Sequence, residues 1–129
     1  MTTDSIFGEV IYAYTREQAI EDGELIDVSE TARQAGFTFP VAMTAAAWAD
    51  LVAWNDSNRG IQDEAGRLWD VVTMARYFAK RGGSRVTAEV LRVPNTPKAT
   101  VPKLAKFVMA CGPGDNAEPV ITLMLPGED

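Results

Sequence analysis

The hydrophobic pattern of this chain changes period after Gly82-Gly83, and that change limits the fold more than any single motif does. Over about residues 66–80, Leu68, Val71, Val72, Ala75 and Phe78 recur at helical spacing. Beyond Gly82-Gly83 the apolar residues alternate instead, as Ala105, Phe107, Met109 and Cys111 do. Helical patterns come first and strand patterns last, without the βαβ alternation that builds parallel sheets, which predicts an α+β protein. The alternating segments Val86–Val93, Leu104–Cys111 and Val120–Leu125 read as a C-terminal three-stranded antiparallel meander, joined by loops 94–103 and 112–119. N-terminal short helices and a central helix pair are expected to pack on it. No repeat or linker interrupts the 129 residues, so 1–129 reads as a single domain.

Local signals place the helices. Thr15 and Gln18 stand three apart, as a capping box requires, and Gly23 closes that helix. A brief extended piece over 25–28 leads to Ser29, where a second short helix starts and runs to Gly36. Phe37, Phe39 and Val41 alternate, and Pro40 confines any strand there to an edge. Thr44 is the expected N-cap of a helix carrying Trp48, Leu51 and Val52. Residues 55–60 read as a turn. On the following helix Arg67, Asp70, Arg76 and Lys80 are assigned to the solvated side, and Trp54, beside Asn55 and Asp56, to a rim.

The chain has no histidine and one cysteine. Ser-His-Asp and Cys-His nucleophile systems are therefore excluded, as are histidine-based or cysteine-rich zinc sites and an internal disulfide. The cysteine lies in "ACGPGD", where parity turns Cys111 into the core with Phe107 and Met109, and Pro113, Gly114 and Asp115 supply turn chemistry. Neither a P-loop nor a dinucleotide fingerprint is present, so no cofactor is expected. Carboxylate chemistry remains open: Asp63, Glu64 and Asp70 are the candidates for a small acid-dependent enzyme, with or without Mg²⁺, although acids ahead of a helix also suit its dipole. No apolar run approaches a membrane span and the start, MTTDSIFGE, is unlike a signal peptide, so a cytoplasmic location is expected.

Charge is polarised along the chain. Residues 1–66 hold twelve acids against three arginines, whereas residues 67–129 hold six acids against nine bases. Between Asp4 and Glu30 there are eight carboxylates and one base, Arg16. Such a segment opposes nucleic acid and suits a basic protein surface, so direct nucleic-acid binding is not expected.

The stretches "IYAYTREQAIEDGELIDVSETARQAGFTFPVAMT", "QDEAGRLWDVVTMAR", "VLRVP" and "CGPGDNAEPVITLMLPGED" resemble a family of small uncharacterised proteins encoded on plasmids and other mobile elements of proteobacteria. The resemblance implies a genomic setting and carries no catalytic residue. Small acidic proteins from that setting are often inhibitors of host defence. The expectation is therefore a non-enzymatic protein that binds a basic surface of a host defence complex, in the manner of an anti-CRISPR inhibitor, through Glu17, Glu21, Asp22, Glu24, Asp27 and Glu30. A plasmid-maintenance accessory role is the other non-enzymatic alternative.

Overall fold

The computed structural model describes residues 14–55 and 62–128; the start, with Asp4 and Glu9, and the expected turn from Asp56 on lie outside them. The elements run α1 (Arg16–Glu21), β1 (Leu25–Asp27), α2 (Ser29–Gln34), β2 (Val41–Thr44), α3 (Ala45–Leu51), α4 (Glu64–Phe78), β3 (Arg85–Arg92), β4 (Lys103–Pro113) and β5 (Pro119–Met124), with a 3-10 turn Ala79–Arg81 after α4. The class is α+β.

Each helix begins and stops where short-range chemistry directs it. Thr15 and Gln18 form the reciprocal capping box of α1. The Thr44 side chain accepts from Ala47 N–H, and Asp63 accepts from Gly66 N–H to start α4. At α2 the expected cap is absent. Ser29 is the first helical residue, and its Oγ bridges to Val41 N–H and C=O, pinning α2 to β2 instead.

The sheet differs from the three-stranded antiparallel meander expected above. It has five strands in the order β1-β2-β5-β4-β3 and is mixed: β3, β4 and β5 pair antiparallel in sequence, but β2 lies parallel to β5, and β1 extends it antiparallel. Two features hid the extra strands. β1 and β2 have three and four residues, too few to display a period. Val41, Ala42 and Met43 are also all buried, so β2 is covered on both faces and shows no alternation. Pro40 does not make β2 an edge strand, because it precedes the ladder and contributes only its carbonyl, which accepts from Ile121 N–H.

Helices α2, α3 and α4 cover one face of the sheet. There Ala32, Leu51, Val71 and Ala75 meet Met43, Phe107 and Leu123 in the main core. Helix α1 covers the other face, where Arg16 reaches Thr122, the β5 residue that points away from Ile121 and Leu123. Cys111 is half-buried and packs against the main core, consistent with its parity.

Arg67 corrects the assignment of a solvated side to α4. It is 3 % exposed, the sole buried charged residue among those described. Its Nε donates to Val52 C=O at 2.8 Å and its Nη1 to Val93 C=O at 2.8 Å and to Gln62 Oε1 at 3.2 Å. The guanidinium stacks 4.9 Å from the Trp54 ring centre. Trp54 is thus buried beneath it rather than placed at a rim, and Trp69 is the exposed tryptophan. Burial, with Arg92 nearby, lowers the Arg67 pKa, while Asp50, Glu64 and Asp70 favour its charge.

Two stability tests follow from this packing. Phe107→Ala, at a fully buried site, should cost about 3–5 kcal/mol in urea unfolding. Arg67→Ala leaves the Val52 and Val93 carbonyls without their donor and should cost on the order of 3 kcal/mol. Arg67→Lys should recover only part of that, because one ammonium cannot reproduce the fork.

Candidate functional site

The acidic segment folds around the β1 edge of the sheet. Glu17 and Glu21 stand at i and i+4 on α1, Asp22 and Glu24 lie in the turn that follows, Asp27 ends β1, and Glu30 is in the first turn of α2. All six side chains are exposed. The Glu17–Glu21 spacing places like charges on one helix face, an arrangement that weakens a helix by a few tenths of a kcal/mol, so it contributes nothing to local stability.

Contacts join some of these carboxylates and not others. Asp22 accepts from Tyr14 Oη at 2.8 Å, and Glu24 acts on the same phenol. Asp27 acts on Arg16 together with Asp115 and Glu118. Glu30 stands on α2, on the opposite sheet face from α1, and the structure links it to none of the others.

Arg16 is the one base in the segment, and it is used internally. Its Nη1 donates to Thr122 Oγ1 at 2.8 Å and its Nη2 to Ile121 C=O at 2.7 Å. Partial burial lowers its pKa, opposed by Asp27, Asp115 and Glu118. Among the described residues it forms no ion pair within hydrogen-bonding distance of the segment's carboxylates, because its guanidinium is turned onto β5.

Asp115 and Glu118 are the members that sequence reasoning missed. Asp115 was expected to bond within its own turn. Instead its carboxylate accepts from Arg16 N–H at 2.8 Å and Glu17 N–H at 3.0 Å, capping α1 from the β4–β5 hairpin about a hundred residues away. The loop places it there by a tight closure: Gly114 N–H donates to Glu118 C=O, and a Cβ on Gly114 would meet the Glu118 carboxylate at 2.6 Å and Val120 at 2.9 Å. The available sequence signal was a turn glycine followed by an acid. It does not name the helix to be capped.

The enzyme candidates are engaged in structure. Asp63 caps α4, and Glu64 Oε2 accepts from Trp54 N–H at 3.0 Å. Asp70 borders a hollow of about 10 Å³ beside Arg67 and Arg92. Cys111 borders an apolar hollow of about 160 Å³ with Phe39, Met109 and Ile121. Among the described residues no group of three or more acidic or cysteine side chains is placed to hold a metal ion, and no helix is long and apolar enough to cross a membrane.

The Tyr14 phenol supplies a spectroscopic handle on the acidic surface. Its hydrogen bond to Asp22, some desolvation, and the charges of Asp22 and Glu24 push its pKa up from the ordinary 10.0 to about 12. The neutral phenol is the favoured form in the fold. Its stabilising contribution is therefore complete below pH 10 and is lost as pH rises towards 12. Absorbance titration should show one tyrosine ionising near pH 12, and Asp22→Asn should return it towards 10. Asp115→Ala should speed amide hydrogen exchange in α1, at a cost of about 1 kcal/mol, with β3 and β4 protection unchanged.

No curated protein and no solved structure matches this chain. A model described as "Family of unknown function (DUF6573)" matches residues 5–129. With the match covering nearly all of its length, the chain belongs to the DUF6573 family.

Proposed function

We propose that this is a non-enzymatic interaction protein, encoded by a mobile element, that binds and inhibits a host defence complex by docking its acidic β1 edge on a basic surface, as an anti-CRISPR inhibitor would. Glu17, Glu21, Asp22, Glu24, Asp27 and Glu30 carry the contact, and Asp115 and Glu118 extend it beside Arg16. The observation that carries the proposal is the inward turn of Arg16 onto Thr122 and Ile121, which leaves the exposed carboxylates around it with no cation bonded to them among the described residues. An unneutralised edge of this kind raises the association rate with a basic partner and penalises an acidic one. The resemblance to plasmid-borne proteins supplies the defence setting. Asp63 and Glu64 serve as helix cap and backbone acceptor, so the carboxylate-enzyme alternative gains no support.

The test is capture from host lysate by tagged protein at low and high salt, followed by binding measurements with the recovered complex. A basic, nucleic-acid-handling complex should be retained at low salt and released at high salt, as screening shortens the reach of exposed charges. Reversing Glu17, Glu21, Asp22 and Glu24 to lysine should weaken binding at least about a hundredfold, the equivalent of roughly 3 kcal/mol. Unchanged binding and inhibition by that variant would overturn the proposal.

A further inference from the structure

Charge that is polarised along the sequence is also separated in space. The acidic segment folds around the β1 edge, whereas α4 packs on β3, the strand at the other edge of the sheet. Four strand spacings of about 4.8 Å put roughly 19 Å between those edges, more than twice the Debye length of about 8 Å at physiological salt. Of the acidic segment only Glu30 shares the face of the sheet that α4 covers, and it stands at the start of α2, whereas Arg76 Nε donates to Gly36 C=O at 3.3 Å, just past the end of α2. No acid occurs between Asp70 and Glu89. Within that interval Arg76, Lys80 and Arg81 gather at the end of α4, all exposed, and among the described residues none of them forms an ion pair. Aromatic rings stand with them. Tyr77 is 61 % exposed, with Lys80 Nζ 5.6 Å from its ring centre, and the Arg81 guanidinium lies 4.9 Å from that of Phe78. The two rings are perpendicular, with 5.3 Å between their centres. They line an open hollow of about 340 Å³ together with Lys80 and Arg81. The helix dipole accounts for bases at a C-terminus, but not for a tyrosine left bare beside them.

We propose that this end of α4 binds single-stranded nucleic acid, with one base stacked on Tyr77 and the neighbouring phosphates held by Arg76, Lys80 and Arg81. A nucleotide presents one flat π face and one negative charge, and Tyr77 with Lys80 presents the matching pair. The hollow lies at the small end of the range of ligand clefts, a size suited to one nucleotide. Because the Tyr77 and Phe78 rings are perpendicular, bases laid on them cannot stay stacked on each other, which a single strand tolerates and a duplex does not. An acidic peptide matches the cations but leaves the face of Tyr77 unused. The expectation against nucleic acid rested on the acidic segment, which the fold places around the far edge of the sheet. This site is separate from that edge and does not depend on the function proposed for it.

Fluorescence anisotropy of a labelled oligothymidylate of about twelve nucleotides, titrated with the full chain, tests it. Binding should saturate, and its affinity should fall with salt at a log–log slope of about −2, the counterion release expected when three phosphates of a single strand are neutralised. Tyr77→Ala should weaken binding at least about fivefold through the lost stacking face, whereas Tyr77→Phe should retain it. Replacing Lys80 and Arg81 together by alanine should weaken it at least about tenfold and flatten the salt dependence. All three side chains are exposed or stand at the helix end, and circular dichroism checks that each variant folds. A parallel titration with oligouridylate assigns RNA or DNA as the preferred strand by whichever binds more tightly. Polyglutamate of similar length, which has no base to stack, should bind at least about fivefold more weakly than the oligonucleotide. Absence of saturable oligonucleotide binding, or binding indifferent to Tyr77→Ala, overturns the proposal. Polyglutamate held as tightly as the oligonucleotide overturns it too and makes an acidic protein the occupant.

Discussion

Arg67 holds together parts of the chain that no sheet ladder or helix joins. Its guanidinium reaches the carbonyl at the end of α3, the carbonyl just past β3, and the face of Trp54 in the connection between α3 and α4. Those carbonyls lie where regular structure has ended, so no backbone donor is aligned to meet them. Arginine suits the position because its planar fork supplies several donors at fixed angles and remains charged when buried. The core under α4 is small and mostly valine and alanine. Closing its upper end with a stacked cation sets where α4 starts relative to β3, and the rest of the helical layer is placed from there.

A second long-range link sets the other face. Asp115 from the β4–β5 hairpin caps α1, while Arg16 from α1 reaches back to β5, so helix and hairpin fix each other through oppositely charged groups. A six-residue helix is too short to persist by itself. Its position depends on this exchange and on Ala19, which is buried against the sheet side. The same exchange shapes the surface. It consumes the only base in the acidic segment and adds two carboxylates from the far end of the chain.

The sheet thus has one short acidic edge and one long edge flanked by exposed leucine and tryptophan. Charge acts over distances near the Debye length and favours rapid, salt-sensitive encounters.

The sequence by itself determined the local elements: the caps at Thr15 and Thr44, the alternation of β3 to β5, the inward parity of Cys111, and the exclusion of histidine chemistry. These follow from the conformational preferences of a few adjacent residues. Even Arg67 left a trace, since it lies in line with Val71 and Ala75 at intervals of four; a charge on that stripe was assigned to solvent because its partners, Val52 and Val93, are distant in sequence. Only the tertiary structure decided that β2 joins β5 in parallel, that α1 crosses to the other face, and that Asp115 enters the acidic edge. Each depends on groups brought together from far apart in the chain, and their pairing is selected by the free energy of the whole packed core, which no local pattern encodes.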